Sequence, residues 1–347
     1  VLGDDSVVAA GEAHFGLANS QFALAKLNAT GALDTSFGQG GSAHFGFNTY
    51  QAMDQGQLIR LDDSGRIVIV GTVVFDLNNN PALAYWAGIA RLTTQGKLDS
   101  TFYGSGLYDT PIWGDKSTAP TTLAAYNFPS SIILDSSQRI VITGSIYQPF
   151  PQAVGLMRGP PDGGYDPGFG TQGTGRVLLA PSSAKASATW PLTNGRLMVS
   201  GTFSNSQPDT PFLMRLNEDG SVDTTFANGL ATTPELSGNQ FVVFNFLQQT
   251  SNGGWLLAGQ YGIVNGNNDQ ATGVMLVLFD ASGNPDLSFG TDGIATIVPD
   301  PNRPFVAHRI AAQSDGKLIV AGSMPNSASD ATSHFAVIRI STSDTIF

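Results

Sequence analysis

Met214-Arg215-Leu216-Asn217-Glu218-Asp219-Gly220-Ser221-Val222-Asp223-Thr224-Thr225-Phe226 is one copy of a pattern that this chain repeats. The pattern stands at 25–38 as Ala-Lys-Leu-Asn-Ala-Thr-Gly-Ala-Leu-Asp-Thr-Ser-Phe-Gly and at 90–102 as Ala-Arg-Leu-Thr-Thr-Gln-Gly-Lys-Leu-Asp-Ser-Thr-Phe, and weaker copies close on Phe169 and Phe289. Successive copies lie 57 to 67 residues apart, the length of one supersecondary unit stacked several times. The distance from the basic residue to the Phe is always eleven: Lys26 to Phe37, Arg91 to Phe102, Arg158 to Phe169 and Arg215 to Phe226, with Leu278 in the basic position before Phe289.

A second landmark alternates with the first, a polar turn followed by an apolar run that closes on Gly. Its copies include Ser64-Gly65-Arg66-Ile67-Val68-Ile69-Val70-Gly71 and Asp315-Gly316-Lys317-Leu318-Ile319-Val320-Ala321-Gly322, and the runs end near residues 11, 71, 144, 201, 259 and 322. Short β-branched runs bounded by Asp-Gly or Ser-Gly turns read as strands, and no stretch shows helical periodicity. The last complete unit predicts four strands, at Gly293–Val298, Ala307–Gln313, Lys317–Gly322 and Phe335–Ile340. Four antiparallel strands per unit, over 1–347 as one domain, predict an all-β β-propeller with six blades, or seven as the alternative. In this reading the eleven-residue segment carries the chain from the outer strand of one blade to the inner strand of the next. Asp34, Asp99, Asp166, Asp223 and Asp286 then hold the turn, and Phe37, Phe102, Phe169, Phe226 and Phe289 plug the space between blades.

On these residues the repeat resembles the delta-60 repeat, found in tandem in bacterial proteins. Both landmarks occur in order five times, and the likeness covers nearly the whole chain. Departures are Leu278, the Gly159-Pro160-Pro161 break, and a last copy reduced to Arg339-Ile340-Ser341-Thr342-Ser343-Asp344-Thr345-Ile346-Phe347. The resemblance implies a repeat scaffold of an exported or cell-surface bacterial protein and no general biochemical activity.

Composition narrows the partners. Lys and Arg number 16 against 27 Asp and Glu, for a net charge of −11, which argues against nucleic acid or anionic membrane. The chain has no cysteine, so disulfides, thiolate metal sites and cysteine nucleophiles are all excluded. No run approaches the length of a membrane-spanning helix, and the sequence begins Val1-Leu2-Gly3 without a basic and apolar leader, so any export signal is expected to have been removed or not included.

The motif end of each unit is near-identical, whereas the loops at the other end differ, and variation on a fixed scaffold points to binding. Tyr85, Trp86, Trp113, Tyr126, Tyr147, Phe150 and Tyr261 fall in or beside those loops, with Asp115 among them. Exposed amphipathic rings suit protein hot spots and sugar-stacking platforms alike. Chemistry is sparse. His14, His44, His308 and His334 show no metal-ligand spacing, although His44, expected on an inner strand, and His308 are the pair to watch. No nucleophile elbow or phosphate loop is present. Asp62-Asp63-Ser64-Gly65 and Asn217-Glu218-Asp219-Gly220 have the acidity of calcium loops but lack the alternating ligands and the distal Glu, and they read as hairpin turns that need no ion. No cofactor is expected, with calcium as the alternative. The leading expectation is a non-enzymatic binding scaffold for a protein or glycan. The alternatives are a propeller hydrolase or lyase with its site at a central channel, and an extracellular polymer joined by strand addition.

Overall fold

The computed structural model describes residues 3–15, 20–47, 54–76, 83–112, 126–147, 152–179, 183–203, 209–234, 240–265, 268–326 and 332–341. The chain forms two compact units, Val1–Ala180 with Thr193–Gly195, and Pro181–Leu192 with Arg196–Phe347. Both are built from antiparallel meanders. In the first unit, β1 (Val7–His14), β2 (Ser20–Leu27) and β3 (Ser42–Phe45) make a three-stranded sheet. Next come β4 (Gln55–Leu61), β5 (Ile67–Asp76), β6 (Leu83–Leu92) and β7 (Leu107–Thr110), then β8 (Tyr126–Leu134), β9 (Ile140–Tyr147), β10 (Ala153–Gly159) and β11 (Arg176–Leu179). These two meanders join as one eight-stranded sheet through a single parallel pairing, Tyr85 with Tyr126.

The second unit holds two four-stranded sheets, β12 (Ala184–Pro191) to β15 (Ala231–Thr232) and β16 (Gln240–Gln249) to β19 (Ile294–Ile297). Their middle strands are β13 (Leu197–Phe203), β14 (Thr210–Leu216), β17 (Trp255–Asn265) and β18 (Asn268–Phe279). A three-stranded sheet follows, of β20 (Val306–Ala312), β21 (Leu318–Pro325) and β22 (Ser333–Ile340).

The strands occur where the sequence puts them, but one partner differs. The strand after each Phe does not open the next sheet; it adds to the sheet just left, so β19 pairs β18 and β3 pairs β2. The reason lies in the motif backbone. The Asp N–H returns to the carbonyl of the basic position in all five copies, as in Asp99 to Arg91 at 2.9 Å, and the Phe N–H then closes on the Asp carbonyl. A Gly at positive φ follows, and its own carbonyl receives the N–H of the basic position, as Gly106 does from Arg91 at 3.0 Å. That ring of bonds folds the chain back alongside the strand it came from.

Within each unit successive meanders stack face to face, and this explains why the run closing on Gly is apolar at nearly every position, Thr143 and Ser200 being the polar exceptions. Val68 and Val70 pack with Ile132, Ile140 and Ile142 on one side, while Ile67 and Ile69 pack with Phe22 and Leu24 on the other. Leu257 and Leu256 divide in the same way between their two neighbours. Each leading strand carries one extra residue, a β-bulge, opposite the closing Gly: Gly71, Gly144, Gly201, Gly259 and Gly322. A Cβ there would overlap the carbonyl oxygen of Gln55, Phe128, Lys185, Val243 or Val306 respectively, so only Gly admits the bulge.

Candidate functional site

The motif residues form an ion-pair and ring assembly. Arg91 Nε lies 2.8 Å from Asp99, Arg158 Nε 2.7 Å from Asp166 and Arg215 Nε 2.7 Å from Asp223, and Lys26 Nζ lies 3.0 Å from Asp34. A second Arg, from the start of the run closing on Gly, reaches the same carboxylate: Arg66 to Asp99 and Arg139 to Asp166, both at 3.4 Å. Each strand guanidinium also sits over the motif ring, Arg91 on Phe102 at 5.1 Å, Arg158 on Phe169 at 4.4 Å and Arg215 on Phe226 at 5.0 Å. Phe37, Phe102, Phe169 and Phe226 are buried. Phe37 rests against Gly96, Phe102 against Gly163 and Phe226 against Gly283, each the turn glycine of the following unit. Phe289, whose basic position is Leu278, is only half-buried, and Asp286 spends its carboxylate on Ser288.

These carboxylates are held below the usual range. Hydrogen bonds from Ser36 and Lys26 lower Asp34, and those from Thr225 and Arg215 lower Asp223. Burial pushes Asp99 and Asp166 upward, but hydrogen bonds from Thr101 and Arg91, and from Gly168 and Arg158, outweigh it.

Of the ring residues singled out in the sequence, Tyr85, Tyr126 and Tyr147 come together at one place. Tyr85 lies 4.8 Å from Tyr126 and 5.5 Å from Phe128, and Phe128 meets Tyr147 edge-on at 5.6 Å. Tyr126 and Phe128 are parallel within 11° at 6.3 Å. Tyr126 and Tyr147 each remain 38% exposed. Burial pushes the Tyr147 phenol up, partly offset by a hydrogen bond from Gln152, whose Nε2 is itself buried. The patch therefore presents ring faces and two tyrosine hydroxyls at the seam of β6 and β8.

Two other rings turn inward. The loops 73–87 and 260–272 are mostly strand, since β5, β6, β17 and β18 extend into them, and alternation along β6 puts Tyr85 outward and Trp86 inward. Trp86 and Tyr261 are each 8% exposed, and Tyr261 belongs to a core cluster with Phe244 and Trp255. Trp113, Asp115 and Phe150 lie outside the described residues. His44 stands on β3, the last strand of its sheet rather than an inner one, with Nδ1 2.9 Å from Gln21. It lines a cavity of about 310 Å³ together with Gln39, Lys97 and Leu98. His308 is the bulge residue of β20, 3.2 Å from Ser323. The Asp62 turn binds the N–H groups of Ser64 and Arg66 and the Arg66 side chain. Among the described residues no group of three or more His, Asp or Glu is placed to hold a metal.

Sequence reading missed Asp54, just before β4, which is fully buried. Its carboxyl is pushed up to about 6, first by burial and further by Asp109, against hydrogen bonds from the Phe47 and Val74 backbone. No local pattern around Asp54 distinguishes it from a solvated loop acid.

A family model described as a domain of unknown function (DUF5122) beta-propeller matches residues 2–37, 63–102, 192–226 and 313–346. No curated protein matches the sequence. Among solved structures, a protein of unknown function from Dyadobacter fermentans DSM 18053 is similar over 97% of this chain and 91% of that one, at 10% identity and a TM-score of 0.54. The polysaccharide lyase Uly1 is similar over 98% of this chain and 88% of that one, at 10% identity and a TM-score of 0.45. An endo-arabinase from Bacteroides thetaiotaomicron VPI-5482 is similar over 84% of this chain and 95% of that one, at 12% identity and a TM-score of 0.38. Four matches to one repeat model within a single chain support a β-propeller repeat family.

Proposed function

We propose that this chain is a glycan-binding module of an exported bacterial protein, with its meanders acting as propeller blades and its sugar surface at Tyr85, Tyr126, Phe128 and Tyr147. The observation that carries the reading is the four-ring patch, in which Tyr126 and Tyr147 stay 38% exposed. Ring faces take the C–H face of a sugar, and hydroxyl groups at their margin take its hydroxyls. The exported, surface-attached setting rests on the likeness of the repeat to the tandem delta-60 repeats of bacteria. In affinity electrophoresis through gels containing arabinan, galactan, xylan or glucan, the chain should be retarded by at least one of these neutral polymers. The Tyr126→Ala, Tyr147→Ala double variant should lose about tenfold or more of that affinity with its thermal unfolding midpoint nearly unchanged. Retardation that survives both substitutions rejects the patch as the sugar surface.

A second reading, glycan cleavage, has Asp54 in its favour, because a carboxyl whose pKa is raised to about 6 keeps its proton in mildly acidic solution, as a general acid requires. Against it, Asp54 is fully enclosed. Release of reducing ends from any retarding polymer, abolished by Asp54→Asn, would make cleavage the better description.

A further inference from the structure

The repeat pattern breaks at four residues that meet in one place. Tyr103 stands where other copies carry Gly38, Gly170 and Gly290, with Ala227 the remaining copy. It nevertheless keeps the left-handed backbone of those glycines, φ 47°, a conformation that a bulky side chain adopts only under constraint and that clusters at functional sites. Its ring is not buried in compensation, being 57% exposed. Gly164, an additional glycine directly after the turn glycine Gly163, lies beneath that ring where other copies have Ala32, Lys97, Ser221 and Asn284. Tyr165 replaces Leu33, Leu98, Val222 and Pro285, and Arg176 opens β11 where the equivalent strands open on Ser42, Leu107, Ala231 and Ile294.

The contacts run in a chain. Tyr103 lies 4.4 Å from Tyr108, Tyr108 lies 5.9 Å from Tyr165, and the Arg176 guanidinium covers the Tyr165 ring at 4.0 Å. Arg176 is 8% exposed. Its Nε donates to the Pro111 carbonyl at 3.1 Å, and its Nη2 donates to Thr110 Oγ1 at 2.9 Å and to the Tyr165 hydroxyl, leaving Nη1 without a partner among the described residues. Elsewhere every buried strand arginine has its carboxylate, Arg91 with Asp99 and Arg158 with Asp166. No carboxylate among the described residues pairs with Arg176. A buried guanidinium without an anion is costly unless one is supplied, and here it lies against Tyr165, which is 37% exposed, with the buried ring of Tyr108 between Tyr165 and the exposed Tyr103.

We propose that Tyr103, Tyr108, Tyr165 and Arg176 form a second binding site, for the carboxylate-bearing ring of an acidic sugar such as a uronate. The sugar face lies on the tyrosine shelf, and its carboxylate supplies the counter-charge that Arg176 lacks. This site is separate from the four-ring patch, and its ligand is distinguished by charge. The test is calorimetric titration of the full chain with an oligogalacturonate and with its methyl ester, which has the same rings and no charge. The acid should bind about tenfold or more tighter than the ester, and Arg176→Gln should erase that preference. Because Arg176 also ties β11 to Thr110 and Pro111, a second variant guards against misfolding. Tyr103→Gly restores the residue typical of the repeat, so it should unfold at the same or a higher temperature and still lose affinity for the acid. The Tyr126→Ala, Tyr147→Ala variant should keep the acid preference, which separates failure of this site from failure of the neutral-sugar patch. Equal binding of acid and ester, no binding of either, or unchanged affinity in Tyr103→Gly overturns the proposal. Equal binding of polyglutamate overturns the assignment to a sugar.

Discussion

A carboxyl inside an apolar sheet stack makes stability depend on pH in a direction that a surface acid would not. Asp54 accepts the Phe47 N–H at 2.8 Å through one oxygen, while the other is buried with no partner among the described residues. Its pKa in the folded chain is about 6, above the ordinary 3.8, so between those values the native state holds a proton that the unfolded chain has released. Stability from this group therefore falls as pH rises through that window, and above it the full cost of the buried charge is present, about 3 kcal/mol at most. Asp54→Asn keeps the shape and removes the charge. It should raise the unfolding free energy at pH 8 relative to wild type by more than at pH 4, measured by urea titration at both. The same difference at the two pH values would show that the carboxyl ionises in the fold without penalty. The sequence shows that Asp54 exists but not that two sheets close over it, because burial of a loop acid leaves no periodic mark. Tyr85 and Trp86 show the same limit. Adjacent rings were legible as rings, yet only the register of β6 decides which of them faces out.

At the scale of the element, the closing Gly of each apolar run is an architectural requirement. Five leading strands bulge at the same point, and each bulge brings a carbonyl against the Gly of its neighbour. Gly259→Ala should cost about 2–4 kcal/mol, since its Cβ would overlap backbone on both Val243 and Phe244 and backbone cannot swing aside as a side chain can. Gly316→Ala is the control. Its φ is +81° with nothing within 4 Å of a Cβ, so it should cost about 1 kcal/mol, the penalty of the left-handed conformation alone. Comparable urea midpoints for the two variants would mean that the bulge relaxes to make room. Strand positions were legible because alternation, β-branching and Asp-Gly turns are local. Predicted Lys317–Gly322 corresponds to β21, and predicted Gly293–Val298 to β19. Pairing was not legible, since a connection of this length serves a return within a sheet and a crossing between sheets equally well. The distinguishing signal is the positive-φ glycine that precedes the returning strand, Gly41, Gly106, Gly175 and Gly293, which marks a chain folding back on itself.

Over the whole molecule, the motif carboxylates and the net charge act on stability in opposite directions only until pH falls to the isoelectric point near 4.6. Asp34, Asp99, Asp166 and Asp223 all have lowered pKa values in the folded chain, so each contributes stability that is present above the ordinary carboxylate value of 3.8 and lost as pH drops below it. Meanwhile a chain of net charge −11 sheds self-repulsion as its carboxylates protonate, which favours the compact state. Below the isoelectric point the net charge turns positive and self-repulsion grows again, so it adds to the loss of the motif contacts, in which each carboxylate is spent on a neighbouring hydroxyl, a backbone N–H or a cation within hydrogen-bond distance. Unfolding free energy should therefore fall steeply under acid, with net proton uptake on unfolding. Asp99→Asn and Asp223→Asn should each reduce that slope while lowering stability at pH 7. The two lie in different compact units and share no partner, so the double variant should show additive reductions. If stability instead stays level from pH 5 down to pH 3, the repeated Asp contacts carry little free energy, and the motif carboxylates then matter for the shape of the turn rather than for its energy.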